Sequence, residues 1–363
     1  MAAYCVEELG PRSNDDWNRL NLSSEGGSIY HTLEWREILE RSFGIRSRYL
    51  LIYDDEEPIA LCPWFEQSFM RLKGLVLLPE SDLSNLINER PWDRDLIRLI
   101  LTRSMSMAKE NKLAFLLTSH RDNGAAKVLF DLSPINGRNI RPFPINGTMS
   151  LDLDRFPPDM IWTDLFNKRE GQRKYVKRFE KAGFEIADKA SRKERDSFYK
   201  YYSENLQSIG AEPYESQHFD ILFERLPAEM IRMTLLQKEG EIAGGLISLL
   251  WPAKKTMYLR YLALNRGLAN TYHPPIYLYW EAINHAYQQG YHKVCFGSSP
   301  PDPADKTHRI KAGFGCQYEK AVGGLIPLNR IYEALYCSYR ASRDAWAALG
   351  RTRVKASQGA DQK

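Results

Sequence analysis

Arg260 and Tyr261 stand side by side in 257–264, a run whose alternating apolar and polar residues predict a half-buried strand. An arginine there can hold a phosphate or a carboxylate, and a tyrosine can position or protonate a leaving group. On an alternating strand the two side chains face opposite ways, one into a cleft and one away. The plainer alternative is an exposed strand cation beside a core aromatic. Further on, Gly297-Ser298-Ser299 follows a buried-looking strand at 293–296, and loops at strand ends commonly bind ligands. Its hydroxyls and amides suit a polar substrate, or they close a turn on themselves. His308 brings an imidazole that can serve as base or as leaving-group acid, and Lys311 can bind an anion; both residues equally suit a solvated helix face. His273 beside Pro274, and Glu281 near the centre of this segment, complete the set.

These residues need a frame. Pro274-Pro275 opens a helix at Ile276, Ile276, Trp280, Ile283 and Tyr287 recur at helical spacing, and Gly290 closes it before the strand at 293–296. Strand, helix and strand in this order predict a crossover unit. A second charged feature precedes it. Lys168, Arg169, Arg173, Lys174, Lys177, Arg178 and Lys181 lie around an apolar stripe of Tyr175, Val176, Phe179 and Ala182, which predicts an amphipathic helix with a cationic outer face. Such a face either meets solvent or meets an anion: an RNA backbone, a diphosphate, or an anionic lipid-linked substrate.

With 363 residues, 43% of them hydrophobic, the chain can bury a large core and is long enough for two domains. The net charge of +4 is too small to imply nucleic-acid binding by itself. There is no run of about 18 apolar residues, and the segment MAAYCVEELG has neither a basic nor an apolar signal region. Five widely spaced cysteines, mostly in apolar runs, suit a reducing compartment and form neither a disulfide framework nor a metal site. The expected location is the cytoplasm, with a peripheral position at the inner face of the membrane as a variant.

The chain also echoes itself. Two apolar runs around an acidic turn at 49–66 match a second pair at 233–250, and both read as hairpins. Each hairpin is preceded by an amphipathic helix, at 33–39 and 219–223, and followed by a helix and a strand. Two α+β domains of related design follow. Pro142, Pro144, Pro157 and Pro158 set the division at 1–155 and 156–327, with one more helix at 328–350 and a polar, disordered tail at 351–363.

The segments RYLALNRGLAN, HPPIYLYWEAINHAYQQGY, VCFGSSPP and HRIKAGFG together resemble the second half of the FemAB-like transferases, which carry a duplicated GNAT (N-acetyltransferase-type) fold. Residues 29–35 with Phe43-Gly44, and Gly183-Phe184 after the basic helix, resemble the openings of the two halves, so the similarity spans most of 25–325. The resemblance implies tandem GNAT-like domains, each a mixed central sheet flanked by helices, and transfer of an acyl or aminoacyl group to an amine of a peptidoglycan precursor, amino sugar or amino acid. It implies no permanently bound cofactor, with acyl-CoA or aminoacyl-tRNA as co-substrate. It sets the reacting gap between the strands at 257–264 and 293–296. The catalytic candidates are then Tyr261, His308 and Glu281. Arg260, His273, Gly297, Ser298, Ser299, Lys311, Tyr214, Lys174 and Arg178 are the binding candidates, with Tyr214 in a loop beside the acceptor cleft. The sequence departs from family patterns twice: no helical hairpin is inserted between Asp152 and Gln317, and the stretch 265–271 carries one glycine where acetyl-CoA enzymes carry a glycine-rich loop. Two alternatives stay open, a non-catalytic scaffold binding anionic partners and a plain acetyl-CoA acetyltransferase.

Overall fold

The computed structural model describes residues 4–69, 72–82, 84–121, 124–166, 170–188, 191–335 and 338. Its strands are β1 (Tyr4–Glu8), β2 (Arg46–Asp54), β3 (Glu57–Phe69), β4 (Leu72–Leu77), β5 (Ile87–Asn88), β6 (Phe115–Arg121), β7 (Arg141–Pro144), β8 (Gly147–Asp152), β9 (Glu185–Ala187), β10 (Ile231–Lys238), β11 (Glu241–Trp251), β12 (Thr256–Leu264), β13 (Lys293–Ser299), β14 (Gln317–Glu319) and β15 (Ala321–Pro327). They build two mixed sheets, ordered β1-β2-β3-β4-β6-β15-β7 with β5 on β3, and β14-β8-β13-β12-β11-β10-β9. The two expected hairpins are present as β2–β3 and β10–β11.

Each half then repeats one device. In the second, β12 runs through helix Pro274–Gln288 to β13, and the two strands pair in parallel from Thr256↔Lys293 to Tyr258↔Cys295. Pairing stops there although both strands continue, because the far part of β13 turns to β8, with Ser298 opposite Thr148. The first half does the same: β4 and β6 pair in parallel at Leu75↔Leu116 and Val76↔Leu117, with helix Arg94–Glu110 between them in sequence. A splayed parallel pair therefore occurs twice.

Register on β12 corrects one expectation. Tyr261 lies opposite Ile247 and Leu259 opposite Ser248, so Arg260 is an extra residue, a β-bulge. The bulge resets the alternation. Tyr258, Tyr261 and Ala263 all join the core between the two halves, whereas Met257 and Leu259 join the core under helix Pro274–Gln288. Arg260 and Tyr261 consequently share a face, the guanidinium lying 5.1 Å from the Tyr261 ring centre, instead of pointing opposite ways.

The core between the halves is large and apolar, joining Trp17, Tyr30 and Trp35 to Phe198, Phe219 and Tyr258. Helices Leu33–Phe43 and Ser216–Arg225 cross this boundary and are tied by Arg41 to Glu224 at 2.9 Å and by Arg225 to Glu37. Such an interface resists hinge motion.

Sheet membership does not follow the division expected at 155. Strand β8 belongs to the second sheet and β15, from beyond the second sheet's last strand, returns to the first, so each sheet receives one strand from the opposite half. Prolines mark where regular backbone is difficult; they carry no information about which sheet a strand joins. Lys168 and Arg169 lie outside the described residues, as do 336–337 and 339–350 of the expected C-terminal helix and the whole tail; 330–335 is helical. In the described part of the basic helix, Glu170–Lys181, Val176 and Phe179 are buried while Lys174, Lys177, Arg178 and Lys181 are exposed.

Candidate active site

Strand β13 ends in Gly297-Ser298-Ser299, and here the first half reaches across. Asp82, its side chain only 7% exposed, accepts hydrogen bonds from the Ser298 N–H at 3.3 Å and the Tyr30 hydroxyl at 2.9 Å, and pairs with Arg260 at 3.3 Å. Gly297 adopts a left-handed φ of +72°, which favours glycine, and a Cβ there would press on the Asp82 carboxylate at 3.2 Å. Arg260 also donates to the Glu80 carbonyl at 2.6 Å, and Tyr214 donates to the Glu80 carboxylate at 2.5 Å. The loop of residues 79–82 thus sits clamped between the bulge of β12 and the end of β13.

Lys311 completes the group. Asp305 caps helix Lys306–Ala312 through the N–H groups of Thr307 and His308, and the helix delivers Lys311 to the cleft, 5% exposed, with Nζ donating to the Ser298 carbonyl at 2.6 Å. Burial lowers its pKa below the ordinary 10.5, and the nearby Asp82 carboxylate opposes that shift without cancelling it. A buried ammonium, a buried carboxylate and an ordered peptide at the mouth of a splayed strand pair can stabilise an anionic oxygen and accept a proton at neighbouring points.

A second cationic group forms at the N-terminus of helix Pro274–Gln288. His273, in a left-handed conformation with φ of 51°, packs against Tyr175 of the basic helix, ring centres 4.0 Å apart. Its pKa is lowered by burial first, then by Arg178 and Lys306. Arg178 and Lys306 carry the charge that suits phosphate here; the pKa of His273 is lowered, Pro274 and Pro275 bring no N–H, and the Ile276 N–H donates to the His273 carbonyl at 3.1 Å. Gly267 does not open a wide phosphate loop: its N–H donates to Asn265 Oδ1 at 3.1 Å and helix Arg266–Tyr272 starts at once. The residues present fit the phosphates of either donor class through side-chain charge more than through a backbone cradle.

Arg260, Gly297, Ser298 and Lys311 are thus brought together, with Tyr214 at the margin; His273 and Arg178 meet separately, and Lys174 is exposed on the same helix as Arg178. Ser299 is fully buried with an unpartnered hydroxyl. Three of the expected catalytic residues meet other partners. Tyr261 is 3% exposed and its hydroxyl is held at 2.7 Å by His218 Nε2, with burial pushing its pKa up to about 12, so it is a packed core tyrosine. His308 donates to or accepts from nothing in the Asp82 group: its Nδ1–H meets the Pro300 carbonyl at 3.0 Å and its ring faces Tyr318. Glu281 grips Arg232, whose side chain is 8% exposed, at 2.7 and 3.0 Å, with Asp188 as third member. These contacts make it part of a buried ion-pair network. Glu281→Ala should destabilise the protein by about 3–5 kcal/mol, because it leaves a buried guanidinium underpaired. Urea unfolding reads this, and turnover per folded molecule should stay within a factor of about two.

Sequence reading missed Asp82, Tyr30, Glu80 and Lys306. The available signal for the loop was the internal echo: Pro79-Glu80-Ser81-Asp82 follows β4 just as 265–271 follows β12.

An acetyltransferase (GNAT) domain family matches residues 167–304. No curated protein matches the sequence. Among solved structures, FemX is similar with a TM-score of 0.70 and 13% identity, over 91% of this chain and 99% of that one. A tandem GNAT protein from the clavulanic acid biosynthesis pathway is similar at 0.60 and 11%, over 90% and 99%. L-PGS from Bacillus licheniformis is similar at 0.56 and 13%, over 88% and 92%. The chain therefore has the duplicated GNAT fold of the FemAB-like proteins, with its acetyltransferase-type domain in the second half.

Proposed function

We propose that the protein is an N-acyl- or aminoacyltransferase acting on an amine of a cell-envelope precursor or amino sugar. The observation that carries this reading is the buried Lys311 ammonium on the Ser298 carbonyl, beside the peptide whose N–H meets Asp82. A neutral amine attacks the donor's acyl carbon; a C–N bond forms, and the donor's ester C–O or thioester C–S bond breaks. Asp82 takes the amine proton and gives it up to the departing oxygen or sulfur, which returns the carboxylate to its starting state. The Lys311 ammonium offsets negative charge on the acyl oxygen or the leaving atom, and backbone N–H groups freed by the divergence of β12 and β13 can receive that oxygen. Arg178 and Lys306 neutralise donor phosphates, which both acyl-CoA and aminoacyl-tRNA carry, with His273 beside them as a neutral hydrogen-bonding group. The exposed lysines of the basic helix also suit an anionic lipid-linked acceptor at a membrane surface. No helix among the described residues is long and apolar enough to cross a membrane.

Mass spectrometry of amine acceptors incubated with acyl-CoAs and charged tRNAs in parallel tests the proposal. Product should form with one donor class, and Asp82→Asn should lower turnover by about 10²–10⁴-fold. Product from neither class, or an unchanged Asp82→Asn rate, would count against it.

A further inference from the structure

The second splayed pair, β4 and β6 of the first half, opens a cavity of about 310 Å³. Its walls are apolar, from Leu77, Leu78, Leu117 and Ile145, and its rim runs to Asp82 and Ser298 of the site described above. That volume lies at the small end of sites for organic ligands.

His120 is the unexplained group in it. It comes from β6, lines the cavity, is 1% exposed, and neither ring nitrogen has a hydrogen-bond partner. A buried imidazole left this way loses the bonds it would make to water, a loss that a native structure normally offsets with a partner. Burial lowers its pKa from 6.5 to about 4, so the ring is neutral near pH 7 and presents one donor and one acceptor whichever tautomer it adopts. Beside it Ser84 and Ser119 hydrogen-bond to each other, and Ser119 donates to the Ser84 carbonyl at 2.9 Å, which fixes the cavity floor.

The charged residues among those lining the cavity are Glu80 and Asp82; none is a lysine or arginine. The nearby guanidinium of Arg260 is already held by Asp82 and the Glu80 carbonyl, so an anion brought here finds no free counter-charge among the lining residues and a phosphate-bearing portion of a substrate is disfavoured. A neutral group with a donor and an acceptor, borne on a compact and partly apolar frame, meets every wall with a matching surface.

We infer that this cavity binds a neutral amide- or hydroxyl-bearing part of the acceptor, with His120 as its hydrogen-bonding anchor, while the acceptor's amine extends along the rim to Asp82. As a statement about the acceptor this rests on the transferase reading; as a statement about binding it stands alone. Two sources share the chemistry, an N-acylated sugar and a peptide segment.

Titrating the full chain with N-acetylglucosamine, with N-acetylalanine methylamide and with glucose 6-phosphate, followed by NMR, separates them. At least one neutral probe should bind, with a dissociation constant on the order of 1 mM for molecules of this size, and glucose 6-phosphate should not. His120→Leu should weaken the neutral probe about tenfold or more. Asn146→Trp, at an exposed position on the rim, should block it without touching the core. Lys311→Met should leave it bound. Binding of the sugar alone or of the peptide alone identifies the source. If neither neutral probe binds, if binding survives both pocket variants, or if glucose 6-phosphate binds equally well and is blocked by the same variants, the inference fails. Probe binding without transfer to any amine would sink the transferase reading alone; transfer with pocket-independent binding would sink this inference alone.

Discussion

Lys311→Met should lower kcat by about 10²–10³-fold, the loss expected when one preorganised donor to a developing oxyanion is removed. Acceptor KM should change little, since Lys311 meets the Ser298 carbonyl and is not among the residues lining the cavity of the first half. Stability should hold or rise, and that is what separates the catalytic reading from a structural one. Lys311 is 5% exposed and burial already lowers its pKa, so its charge opposes folding, and an isosteric thioether relieves that opposition. The pH profile supplies an independent readout. If the ammonium is the working form, kcat/KM should fall as pH rises through a pKa below the ordinary 10.5, and the residual activity of Lys311→Met should lack that alkaline limb. A loss smaller than about tenfold, or a thermal midpoint that drops with the rate, would assign Lys311 to the scaffold.

Much of the frame was legible because it rests on local pattern. Hairpins at 49–66 and 233–250, the crossover helix after Pro274-Pro275 and the cationic helix all follow from periodicity and turn chemistry, which act over a few residues. Arg260, Gly297, Ser298 and Lys311 were legible for the same reason, since the crossover unit and the helix that follows it carry them in one contiguous stretch. What escaped depends on chain segments far apart in sequence. Asp82 reads as a turn residue in PESDLSN, and only the packing of the two halves brings it to Ser298, 216 positions away. Glu281 looked catalytic because helical periodicity cannot reveal that Arg232 lies across from it. Tyr261 looked free to enter the cleft because alternation assumes an unbroken strand, and the bulge at Arg260 breaks it. The exchange of β8 and β15 between sheets is likewise a matter of long-range pairing.

The clamp between the halves also predicts how the protein responds to acid. His120 and His218 are both buried, and the pKa of each is lowered from 6.5 to about 4, by burial alone for His120 and by burial with the Arg260 charge behind it for His218. His218 is held neutral between the Tyr261 hydroxyl at 2.7 Å and the Ser42 hydroxyl at 2.9 Å, and so links β12 to the first half's helix Leu33–Phe43. Because the native pKa values lie below the unfolded ones, the unfolded chain binds more protons between pH 6.5 and 4, and stability must fall as pH drops through that window. Each histidine should remove about 2 kcal/mol by pH 5 relative to pH 7, and about 3 kcal/mol by pH 4. His273 and His285, whose pKa values are also lowered mainly by burial, act in the same direction. Urea unfolding at pH 7, 6 and 5 measures the slope above the range where most carboxylates titrate. His120→Leu should remove about half of the share due to the two buried histidines while keeping the apolar volume, and a further His218→Gln should remove most of the rest. Stability that stays level from pH 7 to pH 5 would mean that these imidazoles are reached by water in solution, and with that the neutral anchor assigned to His120 would go too.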